Sequence, residues 1–371
     1  MSDGQGKASS YRDAGVDYDA LDAGKRSAVA SALATSSLLA ARGGRAIDAS
    51  RGEPAFVFEH GGQSLAFVVE GLGTKSVIAR QVEEELGLDR FADVAYDTVA
   101  AIVNDLCCVG ALPLVCSAYF ATGASEWYGG GTRGGSLLSG WQRACEVAGC
   151  TWGGGESPSL PGLLSEPDIE LAGSAVGALP QGRAPILGAE LAAGDEIVLI
   201  ASSGLHANGA SLARLVAGRL PGGYGTELPS GTSFGEALLA PSIIYVPLVA
   251  ALLEADLPIV YLSHITGHGM LKLMRPAAQL SYQIKQLPPV PEVLSFLVEQ
   301  AGLDAQDAYS TFNMGAGFAL YCAPGAAGEI LALARELGYG AIIAGAVEEG
   351  PRRVVLEPLQ IVYDGALLEL S

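Results

Sequence analysis

Ser202-Ser203-Gly204-Leu205-His206-Ala207-Asn208-Gly209 separates an apolar run, Glu196–Ala201, from a segment with helical spacing, Ala210–Ala217. The run has the length and branched aliphatic content of a strand. The glycines allow the chain to bend sharply. A helix that starts at once behind the bend aims its first backbone N–H groups at whatever sits over the loop, which suits an anion. A strand–loop–helix junction of this kind argues for sheets layered with helices.

The same alternation extends outward in both directions. Upstream, the spacing predicts a helix from Leu21 to Ala41, strands at Phe56–Glu59 and Ser64–Glu70 joined by a Gly61-Gly62 turn, and helices at Val77–Leu86 and Asp97–Leu106. A strand at Leu114–Ala121, a helix at Leu137–Ala148 and a strand at Ile169–Ala178 follow. Downstream come helices at Val246–Glu254, Pro291–Ala301 and Ala326–Leu337, with strands at Ile259–Leu262, Ala316–Tyr321, Ala341–Val347 and Arg353–Glu357. The expected fold class is α/β (α+β). Pro180-Gln181-Gly182-Arg183-Ala184-Pro185 is the best linker in the chain. It divides an N-terminal domain, 11–180, from a C-terminal domain, 186–371, and the polar residues 1–10 are expected to be a disordered leader.

Composition narrows the function classes. The chain has 371 residues, which suits two domains at roughly 100–200 residues each. Half of it is hydrophobic and only 16% is charged, so a large core can form. The net charge is −19, a poor basis for holding nucleic acid or an anionic membrane surface. The longest apolar run, Ile243–Leu253, has about half the ~20 residues that cross a bilayer. No secretory signal opens the chain, and the six cysteines form no CxxC pair, so a cytoplasmic protein with reduced thiols is expected.

Chemically capable side chains collect in glycine-rich junctions. Glu70-Gly71-Leu72-Gly73-Thr74-Lys75, Asn104-Asp105 with Asp97 two helical turns earlier, Gly153-Gly154-Gly155-Glu156, the 202–209 loop, His264-Ile265-Thr266-Gly267-His268-Gly269 and Asn313 beside Gly315 make up the set. Three of four histidines lie there, and so does Lys75, one of only five lysines. An ammonium can meet phosphate as a point charge. Carboxylates are hard oxygen donors of the sort that hold Mg²⁺. A phosphate-plus-metal site accounts for the whole set. Each member also has an ordinary local use: a solvated lysine, a helix-capping carboxylate, or an Asn beside a turn. No Walker A or dinucleotide-binding glycine pattern is present.

Eight motifs in order then carry a resemblance. Tyr11-Arg12-Asp13-Ala14-Gly15-Val16-Asp17, Gly71-Leu72-Gly73-Thr74-Lys75, Val103-Asn104-Asp105-Leu106 with Gly110-Ala111-Leu112-Pro113-Leu114, and Tyr119-Phe120-Ala121-Thr122-Gly123 are four of them. Gly154-Gly155-Glu156-Ser157, Ser202–Gly209, His264–Gly269 and Phe312-Asn313-Met314-Gly315-Ala316-Gly317 complete the series. Together they resemble the phosphoribosylformylglycinamidine cyclo-ligases, or AIR synthetases, of the PurM-like ATP-dependent superfamily. Glu70 stands where that family usually has Asp, His268 where it has the middle Gly of three, and Ser159 where it has an acidic residue. The family's glycine-rich loop before the first strand has no counterpart in 42–55.

The resemblance implies an N-terminal sheet domain that dimerises, a C-terminal α+β domain and ATP in the cleft. It implies ATP-driven closure of formylglycinamidine ribonucleotide to aminoimidazole ribonucleotide, as a homodimer with no nucleic-acid or membrane partner. A small-molecule kinase of the same superfamily and a non-catalytic ATP-binding relative are the alternatives. Carried onto this chain, it places Mg²⁺ on Glu70, Asp97 and Asp105. The nucleotide falls to Glu70, Gly71, Gly73, Thr74, Lys75, Asp97, Asn104, Asp105, Gly154, Gly155 and Glu156. The ribonucleotide falls to Ser203, Gly204, His206, Asn208, His264, Thr266, Gly267 and Asn313, with Lys75, His206 and Asn208 expected to act in the chemistry.

Overall fold

A computed structural model describes residues 18–129 and 131–368; the expected leader, 1–10, and the Tyr11–Asp17 motif lie outside the described residues. The first half opens with helix α1 (Tyr18–Leu33) and a short 3-10 turn, Ser36–Arg42, where a single helix to Ala41 was expected. Thr35-Ser36-Ser37 interrupts it, since short hydroxyl side chains compete for backbone hydrogen bonds.

Six strands make the first sheet: β1 (Gly44–Ala46), β2 (Phe56–His60), β3 (Gln63–Gly71), β4 (Leu112–Thr122), β5 (Thr151–Glu156) and β6 (Ile169–Ala178). Their order is β1-β2-β3-β6-β4-β5. All pairs are antiparallel except β4 with β5. The β2–β3 hairpin turns at Gly61 and Gly62, both with positive φ, as a two-residue turn between twisted strands requires. The Gly153–Glu156 stretch, expected as a loop, is an edge strand. Glycine there serves packing: a Cβ on Gly155 would stand 2.0 Å from the Ala118 carbonyl oxygen.

Helices α2 (Lys75–Leu86), α3 (Phe91–Cys107) and α4 (Arg133–Ala148) cover one face of this sheet. Burial alternates strictly along β6, and Ile169, Leu171 and Ala175 point into the helices. The opposite face keeps Phe67 (42% exposed), Val69 (62%) and Leu114 (51%) in the open.

The second half builds a seven-stranded sheet from β7 (Glu196–Ala201), β8 (Ile259–His264), β9 (Leu280–Ile284), β10 (Ala316–Cys322), β11 (Ala341–Glu349), β12 (Arg353–Leu356) and β13 (Ile361–Asp364). The order is β13-β12-β9-β11-β7-β10-β8, with β10 buried along its whole length. Helices α5 (Ala210–Ala217), α6 (Phe234–Leu238), α7 (Val246–Glu254), α8 (Glu292–Ala301), α9 (Ala305–Thr311) and α10 (Ala327–Glu336) accompany it. The molecule is thus two mixed sheets, each with its own helices, an α/β two-domain architecture.

One helix joins the halves. Asn104 of α3 donates to the Ile243 carbonyl (2.9 Å) and accepts from the Tyr245 N–H (2.8 Å). Asp97, seven residues earlier on the same face, accepts from the Ser242 N–H at 2.6 Å. A buried extended segment has backbone groups that need partners, and the two side chains supply them across the seam.

Candidate active site

The strand ends place a cleft between the two sheets. It has a volume near 650 Å³. Glu70, Gly71, Gly73 and Thr74 reach it from the end of β3, and Asp105 from α3. Asn208 arrives from the β7–α5 loop, and His264, Thr266 and Gly267 from the end of β8. The 3-10 turn Gly269–Met274 and the residue after it bring Lys272 and Arg275, and the loop before β2 brings Glu53. Thr74 and Ser211 share a hydrogen bond of 3.1 Å between the two domains.

Charge is concentrated here. His264 Nδ1 stands 2.6 Å from Asp105 Oδ1. Burial alone would raise the Asp105 carboxyl. The hydrogen bond and charge of His264, with Lys272 and Arg275, outweigh it and hold Asp105 below the usual carboxylate range. Glu70 goes the other way. Burial, the Asp105 charge and a hydrogen bond with Asp105 push it up to about 8, against the pull of Lys272 and Arg275. Glu53 is also raised, chiefly by burial, while Arg275, Tyr261 and Lys272 oppose it.

The arrangement fits one divalent cation, because such an ion relieves the Glu70–Asp105 repulsion as a proton does. Among the described residues, no three His, Cys, Asp or Glu side chains could hold a metal together. Two carboxylates with water and phosphate oxygens are a usual Mg²⁺ shell.

Several expected site residues lie elsewhere. Lys75 and Asp97 do not border the cleft. They pair with each other at 2.5 Å, both wholly buried, and Lys75 also donates to the His206 carbonyl at 2.7 Å. Asp97 is thereby removed from the expected metal set, and Lys75 from contact with a ligand in the cleft. Asn104 is spent on the domain seam. Asn313 donates to the Gly204 carbonyl (2.9 Å) and accepts from Ser202 Oγ (2.7 Å), so it braces the 202–209 loop from behind. Ser203 donates to the Pro241 carbonyl at 2.6 Å. Gly154, Gly155 and Glu156 sit on the exposed edge strand β5.

His206 is buried in the left-handed region, with φ +58°. Its Nε2 accepts from the Ser203 N–H at 3.1 Å, which leaves the ring proton on Nδ1. Burial, then the nearby His264 and Lys75, drives its titration well below the ordinary histidine range.

Glu53, Lys272 and Arg275 were not expected in the site. Arg275 donates twice to the Gly52 carbonyl, at 3.0 and 2.7 Å, and Tyr261 donates to Glu53 at 2.8 Å. These bonds hook the loop before β2 onto the C-terminal domain. The one signal available in the sequence was the scarcity of lysine, which marks Lys272 as much as Lys75.

Family models for AIR synthase related proteins match both halves: the N-terminal domain over residues 52–179 and the C-terminal domain over 192–357. The chain belongs to the AIR synthase-related family. Curated relatives carry the name phosphoribosylformylglycinamidine cyclo-ligase. One from Anaeromyxobacter sp. (strain K) is 36% identical over 285 residues, 76% of this chain and 79% of the relative. One from Methanothermobacter thermautotrophicus is 34% identical over 299 residues, 80% and 83% of the two chains. Among solved structures, the hydrogenase maturation protein HypE superposes with a TM-score of 0.59 at 18% identity, covering 82% of this chain and 89% of that one. A ThiL complex with AMPPCP and TMP superposes at 0.57 and 17%, covering 84% and 89%. These last two likenesses establish that the AIR synthase-related chain shares their fold.

Lys75→Met leaves a buried carboxylate without its cation and is expected to cost about 3–5 kcal/mol of stability. A double variant, Lys75→Met with Asp97→Leu, is expected to cost less than the two single changes added together, measured by urea denaturation. A Lys75→Met protein of unchanged stability with impaired nucleotide binding would overturn the structural role.

His206 binds a proton more weakly folded than unfolded, so its share of stability is present above about pH 6.5 and lost as the pH falls below. The loss is at most ~1.4 kcal/mol per pH unit. His206→Asn keeps a residue that tolerates the left-handed region. Between pH 7.5 and 5.5 its denaturation midpoint is expected to fall less than that of the unaltered protein.

Proposed function

We infer that this chain is a phosphoribosylformylglycinamidine cyclo-ligase of purine biosynthesis, converting formylglycinamidine ribonucleotide and ATP to aminoimidazole ribonucleotide, ADP and phosphate. The observation that carries the reading is identity of about 35% across three quarters or more of both chains to enzymes of that name. An open cleft between the domains, bordered by Glu70, Asp105, Lys272 and Arg275, is the place for such a reaction.

The chemistry asks little covalent help of the protein. The formamide oxygen takes the γ-phosphoryl group and ADP departs. The amidine nitrogen then bonds to the formamide carbon, the carbon–oxygen bond breaks, and orthophosphate leaves with that oxygen. Alignment and charge neutralisation are the protein's share. Glu70 and Asp105 would hold Mg²⁺, which when bound offsets the charge on the phosphates. Asp105 also fixes the His264 ring at the wall of the cleft. The N-terminal end of α5, with Asn208 and Gly209 before it, turns backbone N–H groups toward the cleft, where they can hold phosphate oxygens. Thr266 and Gly267 line the same wall as His264.

The six cysteines are free, as suits a reducing compartment, and we place the enzyme in the cytoplasm. No helix among the described residues is long and apolar enough to cross a membrane. The open face of the first sheet, with Phe67, Val69 and Leu114, is where a second copy of the chain would pack.

Purified protein is expected to release phosphate from ATP when formylglycinamidine ribonucleotide is present and to yield a ring-closed product. A phosphorylated product would instead mark a kinase, and no phosphate release would sink the reading. Asp105→Asn is expected to lower turnover by ~10²-fold or more, by removing a charge that the transferring phosphoryl group depends on. Sedimentation is expected to give a dimer, and Val69→Glu with Leu114→Glu a folded monomer; a monomeric unaltered protein would refute the pairing.

A further inference from the structure

Phosphate brought into this cleft meets a problem of sign. Glu53, Glu70 and Asp105 all border it, in a chain of net charge −19. The cation expected to offset them, Lys75, is sealed into a pair with Asp97 outside the cleft. Arg275 borders it, but its guanidinium is engaged with the Gly52 carbonyl and lies 3.6 Å from Glu53. Its role is to hold the loop before β2.

Lys272 also borders the cleft. It stands in the Gly269–Met274 turn, lines the cleft and is only 9% exposed. Its charge acts on Glu70, Asp105 and Glu53 together. The residue lines the same cleft as the two carboxylates of the suggested metal position, and its charge bears on both. The backbone fixes its root: the Lys272 carbonyl accepts from Ser263 Oγ at 3.1 Å, and Ser263 precedes His264 on β8. A lysine is a compact charge on a flexible stem, able to turn from a carboxylate to a phosphate oxygen as the ligand arrives.

We propose that Lys272 is the cation that meets ligand phosphate in this cleft. The assignment rests on the nucleotide-using reading above. Two ligands of that reaction carry phosphate, the nucleotide and the ribonucleotide, and the test separates them. Calorimetry would compare AMPPCP with adenosine, in the presence of Mg²⁺, and formylglycinamidine ribonucleotide with its dephosphorylated nucleoside. Lys272→Gln is expected to weaken AMPPCP, the ribonucleotide or both by ~10-fold to 100-fold, the size of a lost charge-assisted hydrogen bond. The ligands without phosphate are expected to bind unchanged. The pair that responds names the phosphate concerned.

A structural role would instead weaken ligands with and without phosphate alike. That result, or unchanged binding of all four, overturns the proposal. Should Lys272→Gln fail to fold, Lys272→Arg keeps the charge and alters its reach. It is expected to shift affinity for the phosphate-bearing ligands alone, and an equal effect on adenosine refutes the assignment. Failure of the broader reading looks different: the unaltered protein would then bind neither AMPPCP nor the ribonucleotide.

Discussion

Lys75 and Asp97 meet at 2.5 Å with no exposure of either side chain, and much of the molecule is arranged around that contact. Two charges so placed must satisfy each other and their remaining hydrogen-bonding capacity, since a lone buried charge is far costlier than a lone surface one. Lys75 opens α2, Asp97 lies in α3, and their further partners are the His206 carbonyl and the Ser242 N–H in the other domain. The pair thereby fixes the relative position of two helices and two loops at once. Domain orientation, the path of the 202–209 loop and the approach of Asp105 to His264 all follow.

Much of the fold was legible because local patterns and tertiary structure agreed. The Gly61-Gly62 hairpin, the β7–α5 junction and the buried face of α3 each follow from a periodicity or a turn that admits few alternatives. Strand β5 was obscured because three consecutive glycines argue for a loop; a Cβ on Gly155 would meet the Ala118 carbonyl of β4, one on Gly153 the Val115 side chain, and Gly154 has a φ of +100°. Strands β9 and β13 and helix α9 are short and lack a repeating signal long enough to detect.

The site was legible in outline and misread in its charges. Three of the glycine-rich motifs, at 70–74, 207–209 and 264–268, border one cleft, while 153–156 lies on the edge strand β5 and Asn313 sits behind the 202–209 loop. Which polar residue faces inward from such a loop is decided by partners far along the chain. Lys75 beside two glycines looks available until Asp97 is found behind it. Asn104 looks like a ligand residue until Ile243 and Tyr245 are found to need it. Lys272, within a stretch of large apolar residues, offered no contrast of that kind.

Helix α3 carries the domain seam and a wall of the cleft on one rigid rod, eight residues of it spanning Asp97 to Asn104, with Asp105 next in line. A hinge between the domains would have to part four bonds from Lys75, Asp97 and Asn104 to backbone groups of the second domain before the jaws could open. The enclosure thus behaves as a gauge of set width rather than as a clam. Ala28 and Val29 of α1 border the same cleft, so its outer rim is built from a helix that stands apart from both sheets.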